Sequence, residues 1–306
     1  MAFDLAAPLV IGISSRALFD LEEENRLFEE KGLAAYEEYQ LQHENDLLQP
    51  GSAFQLVKSF LELNGISDNH HLVEVIIMSR NSPNTSLRIF NSIKEYGLDI
   101  SRAALTSGAE MTPYLNAFQT DLFLSANEND VKGAINKGIA AGMILPGTPT
   151  TASGESHQQI RIAFDGDAVL FGSASERIYQ QHGMEAFMEN EATNADVPMQ
   201  EGPFVNFLKT IAHIQALFRD QGQSPIRTAL VTSRNAPAHE RAIKTLRKWG
   251  VHVDEAFFLG GVEKKDILAA FGAHIFFDDQ RTHTDPASRL VPSAVVPYRD
   301  GDDPRQ

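Results

Sequence analysis

The segment RIAFDGDAVLF (161–171) carries Asp165 and Asp167 out of an apolar run with only Gly166 between them. Two carboxylates so close repel each other unless a cation or a proton offsets one charge. Three further apolar runs in the second half of the chain also end on reactive residue types. RTALVTS leads into Thr232, Ser233 and Arg234, AFFLGG is followed by Lys264 and Lys265, and HIFFDD closes on Asp278 and Asp279. Each has an ordinary explanation taken singly. Asp-Gly favours a tight turn, a Thr can simply end a strand, adjacent Asp residues can cap a helix, and paired Lys commonly face solvent. The tail even repeats the tripeptide as Asp300-Gly301-Asp302, close to Pro304 and after no apolar run.

The combination fits one chemistry, phosphoryl transfer through an aspartyl-phosphate. A carboxylate can act as the covalent nucleophile. Its approach to a phosphate dianion needs a cation between them, and Mg²⁺ suits that place, held by carboxylates, a backbone carbonyl, water and the substrate phosphate. On this reading Asp165 is nucleophile and metal ligand. Asp167 protonates the leaving oxygen and later activates water. Thr232 and Lys264 hold the phosphoryl oxygens and stabilise transition-state charge. Asp278 and Asp279 complete a metal set of Asp165, Asp167, Asp278 and Asp279, and orient Lys264. Ser233, Arg234 and Lys265 adjoin these positions as substrate-binding candidates, and Lys265 competes with Lys264 for the third position.

Such residues must be brought together by the elements that carry them. Short apolar runs alternating with amphipathic or polar stretches predict a parallel sheet covered on both faces. Ligands of such sheets gather beyond the carboxyl ends of the strands, so all four ends should share one rim. Gly97 and Gly250 are placed to end helices in the left-handed conformation. The run GAINKGIAAG (133–142) is expected to be a closely packed helix, because no phosphate-loop or dinucleotide fingerprint is present. The stretch 172–224 is long enough for a small cap. Its Phe187, Phe204, Phe207 and Phe218 are expected mainly in the core, with base stacking as the alternative.

The pattern occurs twice. RLFEEKG (26–32) matches RIYQQHG (177–183), IIMSRNSP (76–83) matches ALVTSRNAP (229–237), IKEYGLDISRAALTSGAE (93–110) matches LRKWGVHVDEAFFLGGVE (246–263), and AFQTDLFLSAN (117–127) matches AFGAHIFFDDQ (270–280). Blocks in one order, all roughly 150 residues apart, indicate an internal duplication. The expected fold is therefore two tandem doubly wound, Rossmann-like parallel-sheet α/β domains, at 1–147 and 158–306, the second with a cap insertion at 172–224. The intervening 148–157 is rich in Pro, Gly, Ser and Thr, as a linker is. Asp165 pairs with Ser14, Asp167 with Arg16, Thr232 with Met78, Lys264 with Met111, Asp278 with Ser125 and Asp279 with Ala126, so the first copy should be catalytically silent. It is expected to bury a face of the second domain, to lend Arg16, Arg80 or the loop of His43, Glu44 and Asn45 to the substrate pocket, or to bind an effector or another subunit. His43 alone reads more readily as structural.

Composition bounds the partners. The 306 residues carry 26 Lys and Arg against 41 Asp and Glu, a net charge of −15. That field repels nucleic-acid polymers and anionic lipid, and a small anionic substrate needs a local cation. There is no Cys, hence no disulfide framework or zinc-thiolate site. No segment has the apolar length of a membrane span, and the N-terminus lacks the basic region of a signal peptide. A cytoplasmic protein is expected, and a homo-oligomer is compatible with the sequence.

FDGDAVLF, LVTSR, a Lys ahead of the last strand and IFFDD resemble the four motifs of haloacid dehalogenase-like phosphatases. ISSRALF, YEEYQLQHEN, RIAFDGDAVLFGSASERI, LVTSRNAP, KTLRKWG and HIFFDDQ extend the resemblance over nearly the whole chain to the cytosolic 5′-nucleotidases of type I. The resemblance implies a haloacid dehalogenase-like fold and Mg²⁺-dependent hydrolysis of nucleoside 5′-monophosphates to nucleoside and phosphate. It also implies Asp165 as nucleophile, Asp167 as acid and base, Thr232, Lys264, and the Asp278–Asp279 pair as the remaining motifs. The alternatives are the same chemistry on another phosphomonoester such as a sugar phosphate, and a nucleotide-binding regulatory protein without turnover.

Overall fold

The apolar runs form strands, but among the described residues there are five in each half rather than the four expected. In the computed structural model, which describes residues 4–67, 71–147, 159–219, 222 and 224–304, the first half supplies β1 (Leu9–Ile13), β2 (Val73–Ser79), β3 (Arg102–Leu105), β4 (Leu122–Ser125) and β5 (Ala140–Ile144). The second supplies β6 (Ile160–Phe164), β7 (Ile226–Thr232), β8 (Glu255–Phe258), β9 (Ile275–Asp278) and β10 (Ser293–Val295). The run 133–142 is thus not one helix. Its first residues end α6 (Glu128–Asn136), Gly138 turns with positive φ, and its last residues open β5. The expected linker at 148–157 lies outside the described residues.

The ten strands join in one sheet, in the order β3-β2-β1-β4-β5-β10-β9-β6-β7-β8. Each half has the same internal order, and within each half every pairing is parallel. The halves meet where β5 runs antiparallel to β10, pairing Ile144 with Ala294 and Met143 with Val295. This junction reverses the strand direction between halves. The carboxyl ends of β1, β2, β3 and β4 therefore open on the opposite edge of the sheet from those of β6, β7, β8 and β9.

Side chains alternate across the sheet. Ile162, Phe164, Leu230, Ile275 and Phe277 belong to one hydrophobic cluster that runs from Leu9 through both halves to Val296. Phe204 and Phe207, at and within the start of α8 (Val205–Leu217), are fully buried against Phe164, and Phe204 also meets Phe277. So α8 covers the sheet, and Phe204, Phe207 and Phe218 are core, as expected. Ala163, Ala229, Val231 and Phe276 face a second, smaller cluster with Leu268 and Phe271 of α10 (Lys264–Phe271).

Local geometry repeats as well. Both α2 (Glu22–Gln42) and α7 (Ala174–Thr193) are broken by a glycine in the same conformation, Gly32 (φ 79°, ψ −176°) and Gly183 (φ 81°, ψ −176°). An edge-to-face aromatic pair spans each break, Phe28 with Tyr36 at 6.0 Å and Tyr179 with Phe187 at 6.3 Å. Gly51 and Gly202 each press on backbone of the segment that follows the first strand of their half. A Cβ on Gly202 would stand 2.4 Å from the Val169 carbonyl oxygen and 2.7 Å from Leu170 backbone. Backbone cannot yield as a flexible side chain can. Gly202→Ala is expected to cost about 1–3 kcal/mol, read as a lower denaturation midpoint. An unchanged midpoint would mean the contact is loose.

Candidate active site

The second-half strand ends converge at the carboxyl edge of β6, β7, β8 and β9. Asp165, one residue past β6, is tied to the neighbouring strand through its backbone N–H, which donates to the Phe277 carbonyl at 2.8 Å. Its carboxylate is buried and accepts from Lys264 Nζ at 2.7 Å. The same ammonium donates to Asp278 Oδ2 at 2.6 Å. Lys264 starts α10, brought there by a turn in which Gly260 and Gly261 both adopt positive φ. One residue along, a helix has rotated by about 100°. Lys265 accordingly points elsewhere, pairing with Glu263 at 2.5 Å on the surface. The rivalry between the two lysines is decided by helix phase, and Lys265 does not join the cluster.

Asp278 ends β9 and is fully buried. Its Oδ1 accepts from the Gln280 backbone N–H at 2.8 Å, and its Oδ2 also meets His283 Nδ1 at 3.0 Å. Asp279 accepts from the Tyr298 hydroxyl, while its Oδ1 is buried with no hydrogen-bond partner. Oxygens of Asp165, Asp278 and Asp279 lie within 4.8 Å of one another, the group of that kind found among the described residues. Three carboxylates around one ammonium leave a net negative site. Burial pushes the Asp165 carboxyl up to about 7, although Lys264 pulls the other way. Burial and the neighbouring Asp278 and Asp165 hold Asp279 well above the usual carboxylate range. Asp278 lies below that range, because Lys264 and His283 together outweigh its burial. The unpartnered Asp279 oxygen and the charge deficit fit a hard cation with oxygen ligands.

Asp167 is placed differently. Both its oxygens accept from Arg234, at 2.8 Å from Nε and 2.6 Å from Nη2. It is not among the three clustered carboxylates, which departs from the expected four-residue metal set. Arg234 is itself buried. Its other Nη donates to the fully buried Glu191 of α7, and its plane lies 5.2 Å from the Phe187 ring and 5.7 Å from the Phe171 ring. Expected to bind substrate, Arg234 is instead saturated by protein groups. Phe187 packs on that guanidinium, so the stretch 172–224 divides between α8 on the sheet and α7 beside the site. Thr232 ends β7, buried, with Oγ1 3.1 Å from where a Cβ on Gly166 would stand. Ser233 is exposed.

Arg16 and His43 are not brought to this edge. Arg16, in α1 (Ser15–Leu18) after β1, pairs with Glu22 at 2.9 Å and Asn25 at 2.8 Å at the opposite edge of the sheet. His43 follows α2, bonded to Asp46 at 2.6 Å and against the Tyr39 ring at 4.2 Å. The antiparallel junction between halves is the reason, and no local sequence pattern announces it. Glu191, His283 and Tyr298 were missed by sequence reasoning. Nothing in their spacing marks them, since each reaches the site from a different element.

A mostly parallel α/β sheet whose strand ends gather buried carboxylates around a lysine is an arrangement able to hold a cation and an anionic substrate at one rim. The chain belongs to the 5′-nucleotidase family, whose model matches residues 1–303. It is 38% identical over 291 residues to human cytosolic 5′-nucleotidase 1B, covering 92% of this chain and 47% of that protein, so it spans about half the length of that relative. Among solved structures, a putative universal stress protein from Pseudomonas aeruginosa matches 97% of this chain and 95% of its own at 11% identity with a TM-score of 0.35, too distant to bear on the fold. Among the described residues, no helix is long and apolar enough to cross a membrane.

Proposed function

We propose that the chain hydrolyses nucleoside 5′-monophosphates to nucleoside and phosphate, with Asp165 as nucleophile. The observation that carries this reading is the convergence of Asp165, Lys264, Asp278 and Asp279 at one edge, in a chain of the 5′-nucleotidase family. A divalent cation held by Asp165, Asp278 and Asp279, with Mg²⁺ the natural choice for oxygen ligands, would offset the charge of the approaching phosphate. An Asp165 oxygen attacks phosphorus as the bond to the 5′ oxygen breaks, and Asp167 gives that oxygen its proton. Asp167 then takes a proton from the water that attacks the aspartyl-phosphate, releasing phosphate and restoring Asp165. Arg234 fixes Asp167 while leaving each carboxylate oxygen a second lone pair for that proton. Lys264 and Thr232 stabilise the phosphoryl oxygens.

In this reading the two halves are copies of one unit, 1–147 and 158–306, and only the second is catalytic. The shared strand order and the paired glycines and aromatics support it. The part of 172–224 read as a cap is α7, whose Glu191 and Phe187 meet Arg234 and whose Tyr179 and Met184 are exposed. The net charge of −15 and a relative named as cytosolic support the reading of a cytoplasmic protein without nucleic-acid polymer or membrane among its partners.

Phosphate release from a panel of nucleoside monophosphates and sugar phosphates, with Mg²⁺ and with EDTA, tests the function. Nucleotides should be the better substrates and EDTA should stop release. Faster turnover of a sugar phosphate would reassign the substrate, and no release at all would end the enzymatic reading. The cation also competes with protons on Asp165 and Asp279, both raised in the metal-free site. Mg²⁺ affinity should therefore increase as pH rises from about 5 toward 8, seen as a Mg²⁺-induced rise in melting temperature that grows with pH. A shift independent of pH would place the cation elsewhere.

A further inference from the structure

The chain's second Asp-Gly-Asp, Asp300-Gly301-Asp302, is not a free solvated end. It closes a segment, 296–302, that leaves β10 at the edge where Asp165, Lys264, Asp278 and Asp279 gather. The Val296 backbone N–H donates to the Asp278 carbonyl at 2.9 Å, so the segment starts in register with β9. Two residues on, the Tyr298 hydroxyl donates to Asp279 Oδ2.

The segment is held from two sides. On one side stands α6 of the first half. Lys132 Nζ donates to the Tyr298 carbonyl and pairs with Asp300 at 3.1 Å. Asn136 Nδ2 donates to Asp300 Oδ2 at 2.7 Å, and the Asp300 backbone N–H returns a bond to Asn136 Oδ1 at 2.9 Å. That reciprocal pair fixes backbone as well as side chain. On the other side stands the start of α7. Ser173 Oγ donates to the Asp302 carbonyl at 2.9 Å, and Arg177 lies 3.9 Å from the Asp302 carboxylate. An exposed ion pair of that kind contributes little, so the firmer hold is that of α6. Strand direction explains why α6 reaches this edge. It leaves β4 at the first-half rim and runs back along the sheet to the start of β5. Because β10 runs antiparallel to β5, the last turn of α6 ends beside the exit of β10.

The geometry at Asp279 gives Tyr298 a task. The last torsion of an Asp side chain is soft, so a carboxylate with nothing to hold it can turn away from an ion. Here the phenol occupies Oδ2, and Oδ1 is left buried without a partner in the group formed with Asp165 and Asp278. Outer groups that orient a metal ligand are commonly worth about 10–100-fold in metal affinity. We propose that Tyr298 is a positioning residue of the cation site, aiming Asp279 Oδ1 at the ion, and that the first half holds Tyr298 in place through Lys132 and Asn136. This rests on the reading of Asp279 as a cation ligand. It gives the first half, which lacks the reactive groups, a part in the other half's site without supplying a ligand.

Mg²⁺ binding to the full chain, followed without nucleotide by the Mg²⁺-dependent rise in melting temperature, is the test. Tyr298→Phe keeps the ring and removes the hydroxyl. Its Mg²⁺ dissociation constant should rise by about 10–100-fold, while its melting temperature in EDTA stays close to that of the native chain. In an Asp279→Asn background the same substitution should change Mg²⁺ affinity by less than about twofold, because the charged ligand it aims is gone. Lys132→Met should weaken Mg²⁺ binding by about threefold or more. The Mg²⁺ concentration for half-maximal phosphate release should rise with the dissociation constant in Tyr298→Phe, and excess Mg²⁺ should recover the rate, which it would not do for a damaged fold. Unchanged Mg²⁺ affinity in Tyr298→Phe, or an equal loss in the Asp279→Asn background, overturns the assignment of Tyr298. Unchanged affinity in Lys132→Met overturns the part given to the first half. Mg²⁺ affinity that Asp279→Asn leaves intact overturns the ligand reading and this proposal with it. Weakened Mg²⁺ binding in Tyr298→Phe, with no phosphate release by the native chain, overturns the proposed hydrolysis and leaves the role of Tyr298 standing.

Discussion

Asp165→Asn is expected to slow phosphate release from AMP by on the order of 10⁴-fold or more, while the chain melts at the same or a higher temperature. The two effects have one cause. An amide keeps the size of the side chain and an acceptor for Lys264 Nζ, now at 2.7 Å, but it cannot form the acyl-phosphate. It also removes a charge that the fold opposes. In the metal-free chain the folded carboxyl sits at about 7 against an ordinary value of 3.8. A raised acid favours folding only in its protonated form. Its ionisation therefore costs nothing below the ordinary value, grows through the window between the two, and reaches about 4 kcal/mol above pH 7. Without Mg²⁺, the variant should gain stability over the native chain as pH rises from 5 to 8. With Mg²⁺ the gap should narrow, because the cation offsets the same charge. Turnover within tenfold of native would remove Asp165 from the mechanism. A variant that unfolds early at pH 8 would show that the carboxylate is needed for the fold.

The second large effect is expected at Arg234. Its guanidinium is buried between Asp167, Glu191 and the Phe171 and Phe187 rings. Burial opposes the charge of Glu191, yet Arg234 foremost, then Ser175 and Arg241, hold its carboxyl below the usual range. Arg234→Met would leave Glu191 with Arg241 alone as a cationic partner, at 2.8 Å. Removing one member of a buried ion pair costs about 3–5 kcal/mol, which corresponds to a fall in melting temperature of roughly 5–8 °C for a chain of this size. Turnover measured well below that temperature should also fall by about 10²-fold, because Asp167 loses the fork that orients it. Arg234→Lys keeps the charge without the fork, so it should recover more stability than activity. Full activity in Arg234→Met would mean that Asp167 is positioned by something else. A loss of KM alone, with kcat kept, would return Arg234 to substrate binding.

Much of the second half is legible because its signals are local. Apolar runs such as RTALVTS and HIFFDD set strands by their own burial, and the position of a residue just past a strand is fixed by the strand. Thr232, Asp278 and Asp165 are therefore found from sequence order alone. Gly97 and Gly250 end their helices with φ of 64° and 67°, because only a residue without Cβ enters that region freely. The strand β10 and the strand half of 133–142 were harder. SAV and AAGMI are short and rich in small residues, and their strand state comes from pairing with β9 and β4 and with each other across the junction.

Read by itself, the sequence determined which residue types stand at the strand ends. Their order at four strand ends is the one the proposed phosphoryl transfer requires, and the matching blocks of the first half lack those groups. The tertiary structure decided which groups meet. Helix phase sends Lys264 inward and Lys265 to solvent. A buried fork turns Arg234 from the substrate toward Asp167 and Glu191. The antiparallel pairing of β5 with β10 sets the two rims on opposite edges, so Arg16 stands away from the Asp165 cluster. These outcomes depend on hydrogen bonds and burial between residues far apart in the chain, and no local pattern encodes which strand will pair with which.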